Sequence, residues 1–406
     1  MDEIEILSQT STNSDTISNN EEIERVSFKN ISYDYFFHRF MQCNRAVVVE
    51  SVADEWECYK RWIDRTKVPP RLNVTYLKEK LLNVPVPVAD CGKQHYNTHE
   101  KIQLALFDFL NTWETEGMND HQTSPLEQRG RYYLKDWHLR SEKPEYSFYR
   151  TPDLFASDWL NEYLVEKSID DYRFVYMGPK GTWTGFHADV FGSYSWSVNI
   201  FGRKLWYLLP PGEEQKLLTS FKNLPFSVTE EELKNAGVNF FSIHQEPGEA
   251  VFIPSGWYHQ VLNVEDAISV NHNWFNGCNV AIIWNNLRDA LKDVCREIDD
   301  CRDMENFNEH CQLMLKASFG MDYTDFFSIL SYICDKRLCN LHEGKNLEQF
   351  DKYVLGKRHL FFDLIAIHKL LSEAIEMDYL TCYPKLRDMT VDCLKKICLE
   401  NMCLKD

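Results

Sequence analysis

The sequence predicts a mixed α+β fold in which a β-rich middle region is followed by a helical region. From Arg131 onward, short runs of β-branched and aromatic residues alternate with glycine and proline turns, as is typical of an antiparallel sandwich or barrel. The runs cover residues 172–177, 195–201, 205–209, 250–253 and 268–274. After Gly277 the apolar residues recur with the helical period of 3.6, so we expect amphipathic helices there.

The segments before the barrel are predicted in chain order from composition. Residues 1–26 are rich in Ser, Thr, Asn and Glu and contain no aromatic residue, which predicts a mobile acidic tail. Residues 45–50 form a buried strand in this prediction, and residues 54–70 and 96–115 form helices, with Asn97 to Glu100 as a helix entrance. The predicted organisation is a tail over 1–26, a β-rich domain with an N-terminal extension over 27–280, with its barrel core at about 131–276, and a helical region over 281–406.

Two apolar stripes mark the helical region. One consists of Ile283, Leu287, Leu291, Val294 and Ile298, and the other of Leu360, Leu364, Ile367 and Leu371. Such stripes must be buried. Packing against the β-rich domain within the chain is the simpler expectation, and a homodimer formed through these helices is the alternative.

Composition and charge exclude several functional classes. The 406 residues carry 62 Asp and Glu against 44 Lys and Arg, and the net charge of −18 opposes direct binding of nucleic acid while favouring a basic protein partner. We find no transmembrane run and, in the first residues, no secretory or transit signal, so no membrane association is expected. The 13 cysteines are scattered and include no C-x-x-C pair, which indicates reduced thiols in a cytoplasmic or also nuclear protein.

The motif with the clearest chemistry contains His187 and Asp189. Side chains two apart in an extended chain project to the same face, so this imidazole and this carboxylate can meet at one point. His259 follows another strand and a turn and can add a third ligand. Two His and one carboxylate leave open positions on a metal, as in non-haem Fe(II) oxygenases. Taken alone, however, a His-x-Asp motif is more often a surface hydrogen-bonded pair.

Lys204 opens an otherwise apolar strand in the same region. A cation at the mouth of a barrel is costly unless it is paired, and an incoming dicarboxylate would pair it. The alternative is a lysine that extends along the apolar surface to reach solvent.

The order and spacing of three segments resemble the JmjC domain of the Fe(II)- and 2-oxoglutarate-dependent oxygenases. The segments are residues 184–189 (TGFHAD), 202–211 (GRKLWYLLPP) and 247–259 (PGEAVFIPSGWYH). The resemblance covers about residues 30–280. Three further segments narrow it to the lysyl-hydroxylase type, namely residues 132–139 (YYLKDWHL), 188–191 (ADVF) and 195–199 (SWSVN). It implies a double-stranded β-helix, the jelly-roll or cupin-like barrel, with flanking helices.

The resemblance also implies the ligands and the reaction. His187, Asp189 and His259 would bind Fe(II). Lys204 and Thr184, assisted by the hydroxyl of Tyr133, would hold the distal carboxylate of the cosubstrate 2-oxoglutarate, and dioxygen would be the oxidant. Relatives often carry an Asn near the metal where this chain has serines, so the group that contacts the proximal carboxylate stays open, with two candidates. These candidates are Ser197 and Asn271.

The expected activity is hydroxylation of a protein substrate that presents a lysine. The resemblance implies C4 hydroxylation of a lysine in the eukaryotic translation termination factor, and Asp136 is the sequence candidate for receiving the ammonium group. A JmjC histone lysine demethylase is the first alternative, because it uses the same chemistry on an N-methyl group. A non-catalytic JmjC binding scaffold is the second, which the intact ligand set and Lys204 argue against.

Overall fold

The computed structural model describes residues 2–7, 22–96, 98–116, 132–218, 223–343, 353–376, 380 and 383–403. Within them the strands are β1 (Asp2–Ile4), β2 (Arg25–Ser27), β3 (Val47–Glu50), β4 (Ile63–Asp64), β5 (Arg71–Leu72), β6 (Pro85–His95), β7 (Thr98–Ala105), β8 (Tyr132–Trp137), β9 (Arg173–Gly178), β10 (Trp183–His187), β11 (Tyr194–Phe201), β12 (Lys204–Leu209), β13 (Phe241–Gln245), β14 (Ala250–Ile253), β15 (Tyr258–Asn263), β16 (Ala267–Trp274) and β17 (Tyr353–Leu355).

The α-helices of the same residues are α1 (Tyr33–Phe36), α2 (Glu57–Arg61), α3 (Val74–Lys80), α4 (Leu106–Glu116), α5 (Leu139–Glu142), α6 (Trp159–Glu166), α7 (Glu230–Asn235), α8 (Val280–Glu297), α9 (Phe307–Phe319), α10 (Tyr323–Glu343), α11 (Lys357–Ile375) and α12 (Pro384–Cys403). A π-helix at Phe37–Met41 continues α1, and short 3-10 turns lie at Asp153–Phe155, Val190–Gly192, Glu213–Leu217 and Asp299–Cys301. In the described residues no helix is long and apolar enough to cross a membrane.

Two sheets enclose the centre of the molecule. The larger has nine strands in the order β2-β3-β14-β11-β16-β9-β8-β6-β7, and the smaller has four in the order β10-β15-β12-β13. All of these pairs are antiparallel except β2 with β3. Strands that are consecutive in sequence thus alternate between the sheets, for example β9, β10, β11 and β12. The predicted α+β class and double-stranded β-helix are confirmed.

The five runs predicted as strands from residue 172 onward are strands. Between β12 and β13, the described residues contain the 3-10 turn Glu213–Leu217 and helix α7. Helices α8 and α11 contain the two predicted apolar stripes. Leu360 joins the core cluster of the larger sheet, and the other residues of the two stripes join or pack against a second cluster that contains Trp159, Phe191 and Phe275. The stripes are therefore buried within the chain, and the homodimer stays a prediction.

Three predictions for the N-terminal part are wrong. Of residues 54–70 only Glu57–Arg61 is an α-helix, and of residues 96–115 the first half forms strand β7, so His99 and Glu100 lie in a hairpin instead of a helix entrance; Asn97 lies outside the described residues. The predicted mobile tail is wrong at both ends. Strand β1 pairs with β17 and Ile4 is buried, while Arg25–Ser27 pairs with β3. Residues 8–21 lie outside the described residues.

Candidate metal and cosubstrate site

The three predicted ligands meet at the edge of the smaller sheet. His187 is the last residue of β10, and it lies opposite His259 of β15 in the antiparallel register. The imidazole centroids are 4.3 Å apart. One ligand atom from each of His187, Asp189 and His259 lies within 4.8 Å of the other two.

A shift in register between Thr184 and His187 places the first histidine at this point. Gly185 lies in the shifted segment. A Cβ at this position would come within 2.7 Å of the Phe226 ring, so only glycine lets the strand pass so close. The motif therefore needs its glycine for packing as well as its histidine for binding.

Both imidazoles are oriented by the backbone of their own strands. The Nδ1 of His187 lies 2.8 Å from the carbonyl oxygen of Gly185, and the Nδ1 of His259 lies 3.1 Å from that of Trp257. Since a carbonyl oxygen can only accept a hydrogen bond, each Nδ1 must donate one. This leaves a lone pair on each Nε2 that is free to bind a metal. Burial, followed by the neighbouring His259, lowers the pKa of His187 to about 4. This imidazole is neutral near pH 7, as a metal ligand must be.

The carboxylate of Asp189 is held by two side chains. Ser195 Oγ donates to Oδ2 over 2.6 Å, and Asn273 Nδ2 donates to Oδ1 over 2.9 Å. Ser195 and Asn273 are themselves paired across β11 and β16. The larger sheet thus fixes the orientation of a ligand that follows a strand of the smaller sheet.

A cavity of about 400 Å³ lies between the inner faces of the two sheets and contains the three ligands. Its lining also includes all five side chains that were predicted to bind the cosubstrate. These are Tyr133, Thr184, Ser197, Lys204 and Asn271. Ser197 Oγ is buried without a hydrogen-bond partner, and Asn271 Nδ2 donates to Ser269 over 3.1 Å. A buried hydroxyl left without a partner is costly, so Ser197 is suited to a polar ligand in this cavity.

Among the lysines that line the cavity, Lys204 is the best suited to bind an anion. Its side chain is buried, and its Nζ donates to Ser269 Oγ over 2.7 Å and lies 3.5 Å from the Tyr133 hydroxyl. Within the described chain, no carboxylate lies within ion-pair distance of it. Burial, and next the charge of Lys135, lowers the pKa of Lys204 to about 7. A dianionic ligand would relieve both effects.

Sequence reasoning missed several residues that complete the site. Asn273, Tyr176 and Lys135 all line the cavity, and Lys135 lies over the rings of Tyr133 and Tyr176. The signal that could have found Asn273 is strand alternation, because it is two residues from Asn271 on β16. The same alternation would also place Lys135 and Tyr176 in the cavity lining, but only once β8 and β9 are known to form part of the cavity wall.

A second group of possible metal ligands consists of His138, Asp170 and Asp171. Here the carboxylate of Asp171 is already bonded to His138 Nδ1 over 2.5 Å and to Arg173 Nε over 2.7 Å. The hydrogen bond with Asp171 raises the pKa of His138. These contacts describe an ion-pair network rather than a metal centre, and none of the three residues lines the cavity.

Two imidazoles and one carboxylate that meet at one point of a cavity define the non-haem iron oxygenase class. Comparison with known proteins identifies the family. The model of the JmjC domain, described as a hydroxylase, matches residues 174–274.

The relatives cover most of the chain. The 2-oxoglutarate and iron-dependent oxygenase JMJD4 homolog of Drosophila melanogaster is 44% identical over 384 residues, or 90% of each chain. The JMJD4 oxygenase of Homo sapiens is 39% identical over 354 residues, which are 85% of this chain and 82% of the relative. The arginine-specific demethylase JMJ20 of Arabidopsis thaliana is 37% identical over 332 residues, 76% of this chain and 70% of the relative. The chain belongs to the JmjC family of 2-oxoglutarate and iron-dependent oxygenases.

Proposed function

We propose that the chain is a protein hydroxylase that uses Fe(II), 2-oxoglutarate and dioxygen to hydroxylate a lysine of the eukaryotic translation termination factor. One observation carries the oxygenase part of this proposal. The buried Lys204 ammonium, which lacks a carboxylate partner among the described residues, shares one cavity with the three candidate metal ligands. A metal and a dianion can therefore bind side by side.

In this proposal, the Nε2 atoms of His187 and His259 and the carboxylate of Asp189 hold the iron. Lys204, with Tyr133 and Thr184, holds the distal carboxylate of 2-oxoglutarate. Ser197 and Asn271 are the candidates for its proximal carboxylate. When bound, iron and 2-oxoglutarate together reduce dioxygen and supply the oxidising power that converts a C–H bond into C–OH, with succinate and carbon dioxide as the other products.

The protein side chains position the reactants and exclude water. The side chains of Phe174, Trp206 and Val261 contribute apolar surface to the cavity, which keeps competing solvent from the reacting carbon. The backbone acceptors of His187 and His259 keep both imidazoles in the ligating orientation throughout the reaction.

The identity of the substrate rests on chemistry as well as on family. The net charge of −18 would attract a basic segment of a partner protein by long-range steering. A lysine side chain is long enough to enter the cavity and present a mid-chain carbon. Eleven described cysteines are free thiols, in keeping with action in the cytoplasm, where translation terminates.

Peptide mapping of the termination factor tests this function. The purified factor is incubated with the enzyme, iron and 2-oxoglutarate, and we expect one lysine to become heavier by a single oxygen atom. Histone tails and arginine-methylated peptides are treated in parallel, because a relative is named as an arginine-specific demethylase. Loss of a methyl group from either, with no oxidised lysine in the termination factor, would replace hydroxylation by demethylation and leave the oxygenase assignment in place.

A further inference from the structure

A carboxylate lies on the wall of the same cavity contributed by β8. Asp136 Oδ1 accepts a hydrogen bond from the Tyr176 hydroxyl over 2.7 Å, and Oδ2 accepts one from Lys101 Nζ, also over 2.7 Å. All three residues line the cavity with the metal ligands. The carboxylate is the natural counter-ion for a cation that enters this space.

The backbone is distorted where it presents this carboxylate. Asp136 has a φ of 58°, in the left-handed region that L-residues other than glycine, asparagine and aspartate rarely adopt. The distortion coincides with the register shift between Leu134 and Trp137 in the pairing of β8 with β9. Strain of this kind concentrates at ligand-binding positions. Burial would raise the pKa of Asp136, but the ammonium groups of Lys135 and Lys101 outweigh this effect and lower it to about 2.

Lys101 reaches this carboxylate from the edge of the larger sheet. It lies on β7, the edge strand of the larger sheet, and its side chain is 59% exposed, against 29% for Asp136. Asp136 is its one ion-pair partner among the described residues. Ion pairs with this exposure contribute little to stability, so the ammonium of Lys101 can move from Asp136 into solvent at a small cost in free energy.

We propose that Lys101 is an internal substitute for the substrate, occupying the ammonium position that Asp136 and Tyr176 offer to the substrate lysine and leaving it when that lysine enters. This inference rests on the proposed lysyl hydroxylation and adds the residues that select a primary ammonium group. The Tyr176 ring lies 5.8 Å from that of Tyr133 and lines the same cavity as the candidate metal ligands. A lysine held by its terminal nitrogen would turn its methylene carbons toward the ligands.

Electrostatics requires exchange rather than simultaneous binding. The charge of Lys135 already acts on the carboxylate of Asp136, as does that of Lys101. With Lys101 in place, an incoming ammonium would be the third positive group around one carboxylate. At separations of a few ångströms, this repulsion disfavours a third ammonium group beside one carboxylate. Departure of Lys101 restores the original balance of charge.

Binding of n-butylammonium chloride, a lysine side chain without its backbone, tests the exchange without any turnover. The dissociation constant is measured by NMR on the full protein at the labelled ring of Tyr176. We expect Lys101→Met to tighten binding by about two- to fivefold, the range for loss of a competing exposed ion pair. Asp136→Asn, which tolerates the left-handed backbone, should weaken binding by at least about tenfold.

Two controls make the result specific. Lys93→Met removes a lysine of the same hairpin that pairs with Glu100 and does not line the cavity, and it should bind as the wild type does. n-Butyltrimethylammonium, which cannot donate hydrogen bonds, should bind more weakly than n-butylammonium. Unchanged binding in Lys101→Met, or full binding in Asp136→Asn, would overturn the proposal. A failure of the termination-factor experiment alone would leave these binding results untouched, so the two can be told apart.

Discussion

At the scale of single residues, the chemistry of Asp189 depends on partners that are distant in sequence. Its two oxygens accept hydrogen bonds from Ser195 and Asn273, so the carboxylate is oriented before it meets a metal. Groups that orient a metal ligand in this way typically contribute about 10- to 100-fold to metal affinity.

We therefore expect Ser195→Ala and Asn273→Leu each to weaken Fe(II) binding by about 10- to 100-fold. Turnover of 2-oxoglutarate should return at high iron concentration, because both residues position a ligand without being one. The iron dependence of turnover measures the effect, and the exposed Ser318→Ala serves as the control. Loss of turnover that no iron concentration restores would contradict a positioning role.

Lys204 is the proposed partner of the distal carboxylate of 2-oxoglutarate. Loss of a charge-assisted hydrogen bond costs about 1.5 to 3 kcal/mol, and about 1.4 kcal/mol corresponds to a factor of ten in affinity. We expect Lys204→Ala to raise the KM for 2-oxoglutarate by one to two orders of magnitude, with iron binding retained. Lys180→Ala, an exposed lysine in the loop between β9 and β10, should change neither value. A wild-type KM in Lys204→Ala would remove this residue from the cosubstrate site.

The depressed pKa of Lys204 also predicts how 2-oxoglutarate binding depends on pH. The pKa is about 7 in the free protein, lowered by burial and then by Lys135. Only the protonated ammonium pairs with a carboxylate, so affinity is fully present below this pKa and falls as pH rises through it, by up to about tenfold per pH unit. The dissociation constant measured without oxygen between pH 6 and pH 9 should show this slope. Lys204→Arg, which stays charged, should show a flatter one; equal slopes would refute the assignment.

The meeting of the three candidate metal ligands could be predicted from the sequence because their motifs are local. His187 and Asp189 are two residues apart, and His259 ends a recognisable turn. Ser195 and Asn273 could not be assigned in the same way. Their contact with Asp189 depends on the register of β11 against β16, which no local pattern encodes.

At the scale of elements, the main error was to predict a helix over residues 96–115, where the first half forms strand β7 of the hairpin with β6. The segment from Thr98 to Ala105 contains Glu, Lys, Gln and Leu, which favour helices, and β6 contains Pro85 and Pro87, which disfavour strands. The antiparallel pairing of β6 with β7 overrides both the helix preference of the one segment and the effect of the prolines in the other. The prolines are tolerated because β8 pairs only with Val88–Asp90, so no second ladder needs their missing N–H groups.

The C-terminal helices are fastened to the barrel domain by a buried ion-pair network around Arg337 of α10. Its guanidinium donates to both oxygens of Glu162 in α6, over 2.9 and 3.0 Å, and to Asp363 of α11 over 2.7 Å. All three residues are buried. Removing one partner of such a network leaves uncompensated charge inside the protein.

Arg337→Ala is therefore expected to lower the free energy of unfolding by about 3 to 5 kcal/mol, because Glu162 and Asp363 lose their counter-charge. Denaturant titration followed by circular dichroism measures the change. Arg296→Ala removes an arginine from the exposed pair with Asp293 and should leave stability nearly unchanged. Equal stabilities of the two variants would show that the network does not hold the helices in place.

At the scale of the whole molecule, the periodicity of the sequence predicts the barrel and the helical region, but it does not predict the pairing of strands that are distant in sequence. The N-terminal strand β1 pairs with β17, more than 300 residues away in sequence, and Tyr353–Leu355 is buried. Composition alone gave no reason to place residues 2–7 in a sheet. Pairings between distant segments are decided by the surface that the rest of the fold leaves to be covered, so a local reading cannot supply them.

Transfer of an oxygen atom from labelled dioxygen tests the central claim most directly. The termination factor is incubated with enzyme, iron and 2-oxoglutarate under ¹⁸O₂, and its peptides are compared with those from the Asp189→Ala variant and from the control Asp170→Ala. The account predicts ¹⁸O on a single lysine carbon, succinate formed in proportion to it with wild-type enzyme and Asp170→Ala, and neither product with Asp189→Ala. Undiminished labelling by Asp189→Ala, or succinate formation without label on any lysine, would contradict it.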